Sequence, residues 1–216
     1  MRRSPVRACD CCQPGPQPRH RPKLSAVQRG ILGGTFDPPH LAHLAAGEAA
    51  YRQLSLDIVT FMPAGLPWQK EGTGVSSASH RWEMTKLAIA AVDYFEADDR
   101  EVQRSGATYT ADTLESFPSD EKLTLILGAD AAAGLGSWER YDEILERARV
   151  AVMRRPGVDD ADVLTAVGPG IEWLDLPRLE MSGTELRHRA GAGMSLRFLV
   201  PEAVWRYVVE NDLYAS

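Results

Sequence analysis

From Ile31 onward, short apolar runs alternate with stretches of helical period, and few architectures accommodate that alternation. Runs at Arg29 to Gly33, Asp57 to Met62, Phe95 to Val102, Leu123 to Leu127, Val150 to Met153 and Ile171 to Leu174 suit buried parallel strands. Helical patterns fill the gaps at Leu41 to Leu54, Ser79 to Val92, Tyr109 to Phe117, Trp138 to Arg149 and Asp159 to Val167. Thr184 to Ala190 and Pro201 to Asn211 read as helix throughout. The expectation is an α/β protein, a Rossmann-like doubly wound parallel sheet with a C-terminal helical segment.

A chain of 216 residues has room for one such domain, expected over 29–216. The net charge of −6 is unevenly spread: residues 1–30 hold seven Lys or Arg against Asp10 alone, leaving −12 on the remaining 186 residues. Five of the 14 prolines also fall in that stretch, which shows neither strand nor helix period, so residues 1–28 read as a disordered basic leader. All three cysteines, Cys9, Cys11 and Cys12, sit there, and neither a disulfide framework nor a metal cage is expected from them. An acidic body argues against a nucleic-acid binder, which needs a basic face. No apolar run approaches the roughly 20 residues of a spanning helix, so no membrane partner is expected.

In open α/β sheets ligands bind beyond the carboxyl ends of strands, so the loop after the first strand is the first place to look for chemistry. It reads Gly33-Gly34-Thr35-Phe36-Asp37-Pro38-Pro39-His40-Leu41-Ala42-His43. Adjacent glycines allow close backbone approach, and the helix start beyond them offers free N–H groups to a phosphate. No Gly-Lys-Ser or Gly-Lys-Thr follows, so this is not a Walker A loop, and the third glycine of a dinucleotide fingerprint is missing. His40 and His43, three apart at a helix start, share one face. Taken alone, such a pair is a cap histidine and a core histidine; the whole string in this order is what points to chemistry.

The string resembles the signature of the bacterial nicotinate mononucleotide adenylyltransferases, Gly-Gly-x-Phe-Asp-Pro-x-His-x-Gly-His. It matches at Gly33, Gly34, Phe36, Asp37, Pro38, His40 and His43 and departs at Ala42. A second family string, Ile-Ser-Ser-Thr-x-x-Arg, is similar to Met181-Ser182-Gly183-Thr184-Glu185-Leu186-Arg187, with Gly183 in place of a serine. Pro67-Trp68-Gln69-Lys70, Ser79-His80-Arg81, Thr108 to Leu114, Gly128-Ala129-Asp130 and Ser137-Trp138 also look like family segments in their expected order.

The resemblance implies an enzyme that joins ATP and nicotinate mononucleotide to give deamido-NAD and pyrophosphate. It assigns His40, His43 and Arg187 to catalysis on the ATP phosphates. Gly33, Gly34, Thr35, Phe36, Gly128, Asp130, Ser182 and Thr184 become the ATP site. Lys70, Thr108, Tyr109, Trp138 and Arg155 become the mononucleotide site, with Trp138 stacked on the pyridine ring. Mg²⁺ is expected to ride on ATP with no dedicated protein site, and the enzyme is expected in the cytoplasm. A homo-oligomer is left open. Two rivals stand beside this reading: a nucleotidylyltransferase of the same fold with another phosphorylated acceptor, and a non-catalytic nucleotide-binding relative.

Overall fold

A computed structural model of the protein describes residues 26–65, 75–154, 157–177 and 179–215. Its strands are β1 (Gln28–Gly34), β2 (Ile58–Pro63), β3 (Phe95–Ala97), β4 (Lys122–Gly128), β5 (Ala148–Met153) and β6 (Glu172–Leu174). They form one parallel sheet in the order β3-β2-β1-β4-β5-β6. The helices are α1 (Leu41–Gln53), α2 (Ala78–Ile89), α3 (Arg100–Gln103), α4 (Thr110–Glu115), α5 (Ala129–Ala133), α6 (Tyr141–Arg147), α7 (Asp160–Val167), α8 (Gly183–Gly191) and α9 (Glu202–Glu210).

Side chains that alternate along each strand feed two cores, one on each face of the sheet. Leu32, Val59, Phe61, Ile126 and Ala151 join α1, α2, α8 and α9 on one face. Ile31, Met62, Leu125, Leu127, Val150 and Val152 join α4 to α7 on the other. Burial on both faces is why the strand sequences are continuously apolar rather than alternating. The chain runs outward from β1 through β2 to β3 and then returns to β4 on the other side of β1. The carboxyl ends of β1 and β4 therefore flank a topological switch point, where the two connections diverge and leave a crevice.

Two expected elements are bounded differently. The run Phe95 to Val102 is strand only to Ala97, because Asp98 Oδ1 accepts the Arg100 backbone N–H at 2.9 Å and turns the chain into α3. The helix expected from Trp138 starts at Tyr141, since Arg140 adopts a left-handed φ of 58° just before it. That helix stops at Arg147, because Ala148 pairs with Leu123 and already belongs to β5. Among the described residues no helix is long and apolar enough to cross a membrane.

Candidate active site

The loop from β1 to α1 lies on one side of the crevice. Among the described residues, a Cβ at Gly33 would meet nothing within 4 Å, so the backbone there is open to a ligand. Phe36 takes a left-handed φ of 50°, strained for a non-glycine residue, and its ring is 1% exposed in the core. Core packing holds that strain and fixes the loop between cradle and helix. The Phe36 ring meets His43 edge-on at 4.9 Å, and the His40 and His43 rings stack at 3.7 Å. His40 is the extended N-cap of α1. Its backbone N–H donates to His43 Nδ1 at 3.2 Å. With Nδ1 accepting, neutral His43 carries its proton on Nε2.

Asp37 organises the same loop from beneath. Its carboxylate is buried; Oδ1 accepts from the Tyr214 hydroxyl at 2.6 Å and Oδ2 from the Ser76 backbone N–H at 2.9 Å. Its carbonyl accepts from Arg187 Nη1 at 2.9 Å, which brings α8 against the first loop across 150 residues of sequence. Ser182 caps α8, accepting the Glu185 N–H at 3.2 Å, and Thr184 Oγ1 accepts from Arg187 Nη2 at 3.4 Å. Burial and the nearby Asp37 carboxylate push the Tyr214 hydroxyl far up, so it stays a donor.

Across the crevice, Gly128 is the N-cap of α5 and Asp130 lies in its first turn. Tyr109 is the N-cap of α4, and its side chain is among the exposed large apolar ones. The Thr108 hydroxyl is buried with no hydrogen-bond partner among the described residues, a donor and acceptor left for something else. Trp138 closes a single 3-10 turn, Leu135–Ser137, and packs against the core beside α6. Arg140 ties the Trp138 segment to α4 through Asp112 at 2.5 Å and Glu115 at 2.6 Å, and it also pairs with Glu143.

Residues 31–189 match the cytidylyltransferase-like family. A probable nicotinate-nucleotide adenylyltransferase of Exiguobacterium sibiricum is 37% identical over 190 residues, 87% of this chain and 98% of that protein. One of Mycolicibacterium vanbaalenii is 37% identical over 196 residues, 87% of this chain and 92% of its own. The chain belongs to the nicotinate-nucleotide adenylyltransferase family. In fold it is similar to the Plasmodium falciparum nicotinic acid mononucleotide adenylyltransferase complexed with NaAD. That likeness has a TM-score of 0.72 at 17% identity and covers 87% of this chain and 97% of the other.

The fold brings His40, His43, Arg187, Ser182 and Thr184 onto the first loop, and it sets Gly128 and Asp130 on the neighbouring strand end. Lys70 and Arg155 lie outside the described residues. Trp138 precedes a helix rather than opening one. Sequence reasoning gave no role to Asp37, Tyr214 or Arg81. Arg81 left a readable signal, because it shares the spacing of Met84, Thr85, Ala88 and Ile89 on the buried stripe of α2, where an arginine needs a purpose. Asp37 was visible inside the signature. Its partner Tyr214, 177 residues away, was not.

Proposed function

We propose that this enzyme transfers the adenylyl group of ATP to nicotinate mononucleotide, releasing pyrophosphate and forming deamido-NAD in the cytoplasm. The observation that carries the reading is the stacked His40–His43 pair above an open glycine backbone, with Arg187 held against the same loop. A phosphate oxygen of the mononucleotide attacks the α-phosphorus in line. The bond from that phosphorus to the α–β bridging oxygen breaks, and pyrophosphate leaves with the electron pair. No covalent enzyme intermediate is needed, because the protein's task is to align two anions and stabilise developing charge.

His43 Nε2–H and His40 donate to the reacting phosphate, while Arg187 and the turn 182–184 hold the outer phosphates. Among the described residues no three His, Cys, Asp or Glu side chains are grouped to hold a metal ion. Mg²⁺ carried on ATP, ligated by phosphate oxygens and water, would neutralise phosphate charge.

Specificity rests on the segment before α4, where Thr108 lies beside Gly65 at the end of β2. The Thr108 hydroxyl, without a hydrogen-bond partner among the described residues, and the backbone amides at Thr108 and Tyr109 suit a carboxylate, with Trp138 stacked on the ring. A neutral amide would meet donor with donor there, a mismatch worth up to about 10⁴ in discrimination. Pyrophosphate release from ATP with nicotinate mononucleotide, nicotinamide mononucleotide and phosphopantetheine tests the reading. The expected order puts nicotinate mononucleotide well above both others in kcat/KM, and Trp138→Ala should raise its KM more than that of ATP. Equal kcat/KM for acid and amide would overturn the acid-reading wall, and faster turnover of phosphopantetheine would overturn the assigned acceptor.

A further inference from the structure

Arg81 is 1% exposed, and among the described residues its guanidinium donates to backbone carbonyls drawn from three separate segments. Nη1 reaches Thr35 O at 3.1 Å in the phosphate-cradle loop and Ala64 O at 2.5 Å just past β2. Nη2 reaches Gly65 O at 2.5 Å, and Nε reaches Ser76 O at 3.2 Å at the entry to α2. Ser76 in turn donates its N–H to Asp37, back in the cradle loop. One planar fork thus joins the ends of the adjacent strands β1 and β2.

Beyond Gly34 and Pro63 the sheet ladder runs out, and among the described residues the Ala64 N–H to Gly34 O bond of 2.9 Å is its last rung. Among the described residues no carboxylate touches this buried cation directly, and its charge lies behind the loop proposed to take the ATP phosphates.

We propose that Arg81 is a positioning residue for the adenylyl transfer, setting the distance between the ATP cradle at Thr35 and the loop after β2. It touches neither substrate. The inference rests on the two-substrate reading above, which gives Thr108 to the acceptor; its hydroxyl would lie 3.3 Å from a Cβ built at Gly65. Aligning two bound reactants affects the chemical step rather than either affinity, and a displacement of about 1 Å costs on the order of 10² in rate. Lysine cannot replace this fork, since a single ammonium does not span four carbonyls in a plane.

The test uses purified full-length Arg81→Lys with initial rates at saturating and limiting levels of each substrate, well below a Tm measured first. Expected is a fall in kcat of about tenfold or more, with the KM values for ATP and mononucleotide each within about threefold of wild type. A residue serving stability alone would lower Tm and leave kcat per folded molecule unchanged. Gly65→Ala probes the same link from the other side: a Cβ there would meet Glu101 O at 2.1 Å, so the loop and its carbonyl must move off Arg81. It should show the same kcat-selective loss. Unchanged kcat in either folded variant, a rise in KM alone, or failure of both variants to fold would overturn the proposal. Wild type assayed in parallel separates this from failure of the functional reading, which would show as another acceptor being preferred while the clamp is scored on that acceptor.

Discussion

The backbone N–H of His40 donates to Nδ1 of His43 at 3.2 Å, so the residue that caps α1 also sets the tautomer of the imidazole one turn on. A single local bond thereby leaves the proton of neutral His43 on Nε2. His43→Gln keeps a donor near the Nε2 position, whereas His43→Asn keeps only the inner acceptor. His43→Asn and His43→Ala should lose about 10² or more in kcat, the usual cost of a transition-state donor, and His43→Gln clearly less. Steady-state kinetics on folded variants decide it; equal losses for Gln and Asn would refute the donor role.

Tyr214→Phe should destabilise the fold. Removing the hydroxyl leaves Asp37 Oδ1, in a buried carboxylate, without its 2.6 Å donor. A hydrogen bond to a charged group is worth about 1.5–3 kcal/mol, or roughly 3–10 °C in Tm for a chain of this size. Thermal unfolding reads the change directly, and an unaltered Tm would remove Tyr214 from the network.

Gly183→Ala should cost both stability and rate. Its Cβ would sit 2.9 Å from the carbonyl oxygen of Asp37 and 3.3 Å from Arg187 Nη1, and backbone cannot rotate aside. Overpacking of this kind costs about 1–3 kcal/mol, and the forced withdrawal of α8 carries Arg187 with it. A lower Tm together with a lower kcat/KM is expected; wild-type values for both would show that the contact relaxes freely.

Glu101→Gln should stabilise the protein at pH 7. Burial pushes the Glu101 carboxyl above its ordinary value, against the opposing hydrogen bond from Thr113 Oγ1 at 2.8 Å. Below about pH 4 the carboxyl is protonated in both folded and unfolded chains and contributes no pH dependence. As pH rises past the unfolded value the native state releases its proton later, so stability falls until the folded value is passed. Glutamine removes that loss while its carbonyl still accepts from Thr113. Tm measured from pH 4 to pH 8 should show the variant gaining on wild type as pH rises, and a variant less stable at pH 7 would contradict the assignment.

The sequence by itself determined the parts whose physics is local. Apolar runs near strand length separated by helical periods give a parallel sheet, because only strands covered on both faces are apolar throughout. The spacing of His40 and His43 at a strand-to-helix turn puts both imidazoles on one face, and it was the whole string around them, with its glycine pair, that pointed to an anion site. Ser182 as a cap is equally local, one hydroxyl meeting a backbone N–H three residues on. Tertiary structure decided the rest. The reversal of strand order beside β1, which opens the crevice, follows from which connection crosses which face, and no local period records it. The pairing of Asp37 with Tyr214, the reach of Arg187 back to Asp37, and the fork of Arg81 across three segments join groups separated by up to 177 residues. Each is chosen by burial: once packing removes water from Asp37 and Arg81, any polar partner the fold brings within reach becomes obligatory, and only the packed chain says which one that is.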